Sequence, residues 1–370
     1  MQHEIVIVGA GPGGICAGIA LLKAGIDDFV IVDKADGVGG TWWHNRYPGA
    51  ECDVPSHLYS FSFEPKRDWT RPYARQPEIL EYMRHVVDKY GLMPYIRLST
   101  KVEAAHWQEE AATWRLDLDG GDAVEGRMLI SGVGMFNELA YPDIEGIADF
   151  QGTLFHTGDW LDDHDLAGER VAVIGTAASA VQMIPEIVDQ VAHLTVYQRR
   201  PQWVLPKEDD PFTPEQVRQF VEDDEAAAAQ RAGIRENLES FITFSNSEAL
   251  AKAEERGLEN LDVVADPEVR RRLTPSKRLS AEIAVSVGTP AWRAAAMADS
   301  AFCTLCSPNM DQLTRPCGSS PRQTRNSLPA ALRSVALQRE PVSCDSGCLT
   351  LGAPTRSMGD QQPWPNTSAT

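Results

Sequence analysis

The stretch IVIVGAGPGG, Ile5 to Gly14, restricts this chain to few folds. Ile5-Val6-Ile7-Val8 is a short apolar run of the kind that forms a buried parallel strand. Gly9-Ala10-Gly11-Pro12-Gly13-Gly14 follows as a G-x-G-x-x-G turn. Ile15, Ile19 and Leu22 then share one face of a helix that ends near Gly25, and a second apolar run, Phe29 to Val32, delivers Asp33. Strand, glycine turn, helix, strand and acid in this order predict a βαβ unit that binds a dinucleotide. Gly9 permits the tight turn, Gly11 lets the backbone approach a pyrophosphate, and Gly14 allows the helix to pack closely on the strand. The helix N-terminus offers N–H groups and a positive dipole end to the anion. Asp33 supplies a carboxylate for ribose hydroxyls.

The pattern recurs. Val171 to Ile174 is a second buried-strand run, followed by Gly175-Thr176-Ala177-Ala178-Ser179-Ala180 and a helix carrying Val181, Ile184 and Ile187. Ala177 stands where the middle glycine usually lies, and its methyl group can crowd a pyrophosphate; Ala180 is accepted freely at the third position. The next strand, Leu194 to Tyr197, ends in Gln198-Arg199-Arg200. An acid there favours NAD. A guanidinium instead pairs with a 2′-phosphate through two parallel hydrogen bonds, so the expected coenzyme is NADPH. Two nucleotide sites imply hydride transfer between the bound cofactors.

Between the two units lies GGTWWHNRYPGAECD, Gly39 to Asp53, which reads as a loop. This segment resembles the flavin-binding loop of the class B flavoprotein monooxygenases, most closely the Baeyer–Villiger monooxygenases, through Gly40, Trp42, Tyr47, Pro48, Gly49 and Asp53. The resemblance implies FAD contacts at Thr41 and Trp42, with further ones at Tyr59 and Val102, and places Asp53 beside flavin and nicotinamide. A carboxylate there can orient a cation that in turn stabilises an anionic oxygen species. The stretch WTRPYARQPEIL, Trp69 to Leu80, resembles the family as well. So does QRRPQW, in which Arg199 takes the phosphate-binding position and Gln198 precedes it.

FQGTLFHTGDW, Phe150 to Trp160, matches the family fingerprint F-x-G-x-x-x-H-x-x-x-W through Phe150, Gly152, His156 and Trp160. The terminal Trp leans toward ketone oxidation, although Leu161 departs from the Pro or Asp that commonly follows. His156 is expected to tie domain orientation to cofactor binding rather than to act as an acid or base.

The implied fold is α/β, with two Rossmann-like dinucleotide-binding domains: residues 1–149 for FAD, a linker at 150–160, and residues 161–275 for NADPH with a helical insertion at 207–265. Within the insertion Thr213-Pro214-Glu215-Gln216 predicts an N-cap, a first-turn proline and a capping-box Gln, with Val217, Phe220 and Val221 on the buried face. The run Glu222 to Glu225 predicts a solvated face.

The implied activity is an FAD- and NADPH-dependent insertion of one oxygen atom of O2 beside a ketone, giving an ester or lactone. N- or S-oxidation is the alternative within the family, and a non-catalytic fragment with nucleotide affinity is the alternative outside it. The net charge of −19 argues against nucleic acid as a partner. Met1-Gln2-His3-Glu4 lacks the basic start of a signal peptide, and no apolar run approaches a membrane span, so a cytoplasmic location is expected. The sequence leaves the oligomeric state open.

The resemblance stops near Pro275. Residues 276–370 hold nine of the chain's bases against six acids, together with Cys303, Cys306, Cys317, Cys344 and Cys348. A zinc module, a disordered tail and a reading-frame shift in GC-rich DNA are the three readings of this composition, and the last is preferred. Arg278, in Lys277-Arg278, is the candidate for the family's catalytic arginine.

Overall fold

The computed structural model describes residues 2–242, 246–276, 279 and 285–288. All of them belong to the first of two units, Met1–Gln323 and Thr324–Thr370. Arg278 and the five tail cysteines lie outside the described residues, as does nearly all of the 276–370 segment.

Strand β1 (Gln2–Val8) leads through the glycine turn into α1 (Pro12–Lys23) and β2 (Phe29–Val32). Pro12 opens α1, where its missing N–H costs no helical bond. The chain then forms a single helical turn, α2 (Thr41–His44), inside the stretch expected to be wholly loop. It continues through α3 (Gln76–Lys89), β3 (Ile96–Arg97), β4 (Val102–Gln108), β5 (Thr113–Leu118) and β6 (Ala123–Ser131). The six strands make one sheet in the order β3-β2-β1-β6-β5-β4. Pairing is parallel from β3 to β6 and antiparallel from β6 to β4.

Val6, Ile7, Ile31 and Val32 are fully buried, which explains the uninterrupted apolar runs of β1 and β2. In α3, Ile79, Leu80, Met83, Val86 and Val87 recur at helical spacing and pack into the same core as Ile15, Ile19 and Trp69.

A second βαβ follows: β7 (Arg170–Ile174), α4 (Ala178–Ile187) and β8 (His193–Tyr197), with β7 and β8 parallel. Its core is Val173, Ile184, Ile187, Leu194 and Val196. Strand β9 (Trp203–Pro206) precedes α5 (Pro214–Glu222), α6 (Asp224–Ile242), α7 (Ser247–Leu261) and α8 (Pro267–Leu273). The final strand, β10 (Val285–Gly288), pairs with β9 in parallel.

The Thr213 capping box forms as expected, with both reciprocal bonds present. Two expectations for this region are corrected. Residues 207–213 are not helical, because the backbone there crosses from β9 to α5. Val221 is 47% exposed instead of buried. It lies one helical position beyond Phe220, whose ring packs 4.4 Å from His57 and 5.6 Å from Phe212, and this turns Val221 away from the contact. Among the described residues no helix is long and apolar enough to cross a membrane.

Candidate functional site

The two glycine turns adopt one backbone conformation. Gly9 has φ +105° and its N–H donates to Val32 O at 2.8 Å; Gly175 has φ +114° and its N–H donates to Tyr197 O at 2.9 Å. Gly11 and Ala177, the N-caps of α1 and α4, sit at φ −78°, ψ −175° and φ −79°, ψ −175°. Neither helix start receives a side-chain cap, so both present backbone N–H groups of the sort that hold phosphate. The Ala177 methyl puts no strain on the turn itself, because that extended conformation is open to any residue. At Gly14 an added Cβ would lie 1.8 Å from Gly9 O, so α1 rests directly on the turn.

Asp33 follows the last residue of β2. Its Oδ2 accepts from Ala10 N–H at 2.5 Å and its Oδ1 from Ala35 N–H at 2.8 Å, so the carboxylate braces the glycine turn itself. Val102 follows Thr100, whose N–H donates to Asp33 O at 2.8 Å, and so belongs to the Asp33 end of the sheet.

The loop after β2 folds back onto the first turn. Gly39 N–H donates to Ala10 O at 3.0 Å, and a Cβ on Gly40 would stand 2.7 Å from Gly11 Cα. Gly40, at φ +56°, thus brings Thr41 and Trp42 beside the start of α1. Thr41 is exposed. Trp42 is buried, and its indole Nε1 donates to Tyr59 Oη at 2.9 Å with the rings edge to face. The segments expected to share one cofactor therefore meet.

Asp53 forms no Asx turn. Its Oδ1 accepts from Gln182 Nε2 on α4 at 3.1 Å and from Lys207 Nζ just after β9 at 3.3 Å. Lys207 has a side chain with no exposure and also pairs with Glu51 Oε1 at 2.8 Å. Its Nζ lies 4.4 Å from the centre of the Tyr73 ring. Gln182 ties the cluster together, accepting from Tyr47 Oη at 2.8 Å and donating to Glu51 O at 3.1 Å. Burial pushes the Glu51 carboxyl up, and the Lys207 ammonium opposes this. Burial likewise raises the Tyr47 phenol and pushes the Cys52 thiol up to about 12.

Glu51, Gln182 and Lys207 were not singled out by sequence. Lys207 opens the run Lys207-Glu208-Asp209-Asp210, which has the composition of a solvated surface. The only signal at hand was its place directly after the apolar Trp203–Pro206 stretch.

At the second turn Thr176 and Ala180 are buried and Ser179 bonds the Tyr47 hydroxyl. Gln198 is buried too, and its Nε2 donates to Arg272 O at 3.2 Å, which ties it to α8. Arg199 is exposed at the end of β8 and makes no ion pair among the described residues. A cavity lined by Thr176, Gln198, Trp203, Gly257, Asn260 and Leu273 lies between this turn and the helical insertion.

The fingerprint is gathered only in part. His156 Nδ1 accepts from Gly158 N–H at 3.0 Å and its ring meets Tyr141 edge to face. Trp160 packs on Phe155 and against the core of the second βαβ. Gly158 approaches Asn45, and Arg46 pairs with Asp162 at 3.6 Å. Phe150, in contrast, is 60% exposed, and Gly152 is exposed beside it.

A family model for pyridine nucleotide-disulphide oxidoreductases matches residues 6–237. The chain belongs to this family, and within it to the class B flavoprotein monooxygenases. It is 41% identical over 275 residues to a Baeyer–Villiger monooxygenase of Pseudomonas aeruginosa, covering 74% of this chain and 52% of that one. It is 33% identical over 258 residues to the cyclohexanone 1,2-monooxygenase of an Acinetobacter species, covering 68% and 45%. Among solved structures, the cyclohexanone monooxygenase of Rhodococcus sp. Phi1 bound to NADP+ superposes with a TM-score of 0.72 at 29% identity, covering 82% of this chain and 65% of that one. An oxidised steroid monooxygenase bound to NADP gives 0.69 at 31% identity, covering 83% and 66%. The chain spans about half the length of the curated relatives it matches.

Proposed function

We propose that this chain holds FAD on residues 1–149 and NADPH on residues 161–275, joined by the linker 150–160. Its chemistry is the Baeyer–Villiger insertion of an oxygen atom from O2 beside a ketone, giving an ester or lactone. The observation that carries the reading is the repeated turn. Gly9 and Gly175 share a conformation, each turn leads to a helix start without a side-chain cap, and the Asp53–Gln182–Lys207 cluster bridges the two units.

The residues present fit both nucleotides. Around the first turn, Gly13 faces open space, Gly40 crosses Gly11 at backbone contact, and a Cβ at Gly9 or Gly14 would strike the carbonyl oxygen of Gly132 or Gly9, so the glycines let the turn close tightly under that open side. Around the second, the exposed Arg199 guanidinium is available for a 2′-phosphate. FAD, when bound, would supply the redox chemistry, taking reducing equivalents from NADPH and activating O2, the source of the inserted oxygen atom. The protein's share is to bind, orient and shield.

Gly11, Gly14 and Gly40 would hold the flavin nucleotide, with Thr41 and Trp42 beside it, Tyr59 fixing the Trp42 indole, and Asp33 and Val102 at the far end. Gly175, Thr176, Ser179 and Ala180 would hold the coenzyme pyrophosphate, and Gln198 positions the Arg199 strand end. Asp53, fixed through Oδ1, offers its carboxylate to a cation at the junction, and Arg278 is the sequence candidate for that cation. Phe150, Gly152, His156 and Trp160 form the connection between the two units. The named chemistry of the relatives, cyclohexanone and steroid oxidation, supports a small-molecule ketone as substrate.

The visible spectrum of the purified chain tests the reading first: a flavin band is expected, and a colourless protein that takes up no added FAD overturns it. NADPH consumption with cyclic ketones, amines and sulfides then separates ketone oxidation, detected as lactone, from N- or S-oxidation.

A further inference from the structure

The Lys207 ammonium has no role in the nucleotide contacts just assigned, yet it is the most deeply buried cation among the described side chains near Asp53. Burying a charge is costly unless it is paired and hydrogen-bonded. Here the pairing is unequal. Glu51, itself buried, takes the shorter contact at 2.8 Å, and Asp53, 30% exposed, takes the longer one at 3.3 Å through Oδ1. A third contact reaches Cys52 O at 3.4 Å, and the Tyr73 ring closes another side. Gln182 Nε2 meets the same Asp53 oxygen. Both donors thus converge on Oδ1. Among the described residues Oδ2 takes no side-chain bond.

We infer that Lys207 is a positioning residue for Asp53: its ammonium, anchored by Glu51, pins Asp53 Oδ1 and fixes the direction in which Oδ2 is presented to the junction of the two nucleotide units. Glu51 is the anchor and counter-charge, and Lys207 reaches Asp53 from β9, across 154 residues of chain. The loop carrying Asp53 is thereby locked to the second unit as well as to the first. The link to catalysis rests on the proposed flavin and NADPH reading. The geometric claim does not, and the test separates the two.

Carboxyl footprinting with carbodiimide and glycine ethyl ester, read by mass spectrometry on the cofactor-free full chain, measures how freely Asp53 reacts. Lys207→Met alone strands the buried Glu51 charge, which by itself is strongly destabilising, so the informative variant is Lys207→Met/Glu51→Gln, which removes one charge of each sign. Asp53 labelling is expected to rise severalfold in that double variant, with exposed Asp88 as an unchanged control. In Glu51→Gln, which keeps Lys207 for Asp53 alone, labelling is expected not to rise. Unchanged labelling in the double variant overturns the inference, since Gln182 would then hold Asp53 unaided; a rise in Glu51→Gln as large as that in the double variant overturns it too, since the effect would then belong to Glu51 and not to the Lys207 ammonium. On the flavin-loaded chain, the double variant is expected to lower kcat for NADPH oxidation about tenfold with KM little changed, and a wild-type kcat would count against positioning. A chain that binds no flavin removes the proposed function and leaves the footprinting result standing.

Discussion

Gly9 and Gly175 occupy the same left-handed turn conformation but differ in what surrounds them. A Cβ on Gly9 would lie 2.4 Å from the carbonyl oxygen of Gly132, whereas one on Gly175 would meet nothing within 4 Å. Alanine at either site pays the left-handed strain of about 1–2 kcal/mol. Only Gly9→Ala also collides with backbone. Gly175→Ala is therefore expected to lose about 1–2 kcal/mol, and Gly9→Ala more than about 4 kcal/mol, in the range seen for severe overpacking. Urea midpoints of the two variants check this; equal losses would show that the two turns are equally crowded.

Arg199 is exposed at the end of β8 and makes no ion pair among the described residues, so its removal is expected to leave the melting temperature unchanged. In the proposed coenzyme site it pairs with the 2′-phosphate, a charge-assisted bond of about 1.5–3 kcal/mol. Arg199→Ala should weaken NADPH binding by about one to two orders of magnitude, while NADH, which lacks the phosphate, should bind as before. Titrating both coenzymes measures the difference, and parallel weakening of the two would remove the phosphate role.

Burial raises the Cys52 thiol from its usual 9.0 to about 12. The unfolded chain releases this proton above pH 9 while the folded chain keeps it. The contribution to stability is therefore fully present below pH 9 and is lost as pH rises toward 12. Native labelling with iodoacetamide near pH 8 should leave the Cys52 peptide unmodified, because the thiolate is the nucleophile. In urea the same peptide should label readily. Native modification of Cys52 at that pH would show that the loop from Tyr47 to Asp53 opens locally.

What the sequence reveals here is local. The turn at Gly9, the cap at Thr213 and the end of α1 at Gly25 follow from backbone requirements that a few adjacent residues satisfy by themselves, and each forms as read. The Lys207–Glu51 pair does not, because its partners lie 156 residues apart and its burial is set by how β9 packs over the loop. A lysine followed by three acids has the composition of a surface. Phe150 shows the converse. The motif match names it as the first fingerprint residue, yet its ring is 60% exposed, since motif identity carries no information about which segments cover it.

Gln182 holds the junction through all of its polar atoms. Oε1 accepts from Tyr47 Oη and Glu51 N–H, and Nε2 donates to Glu51 O and Asp53 Oδ1, at 2.8 to 3.3 Å. Leucine is similar in size but satisfies none of these groups, and a buried polar group left unpaired costs about 1–3 kcal/mol. Gln182→Leu is expected to destabilise by about 2–4 kcal/mol, since several groups are stranded at once and some recover water. Tyr47→Phe removes one of the partners of Gln182 together with the Ser179 contact and should cost about 1–2 kcal/mol. In the double variant the Tyr47 hydroxyl is no longer there to be stranded, so the combined loss should fall short of the sum by about 0.5 kcal/mol or more. Urea unfolding of the three variants completes the cycle. Strict additivity would mean that Tyr47 and Gln182 stabilise the two units independently, and that the loop bearing Asp53 is not held through their bond.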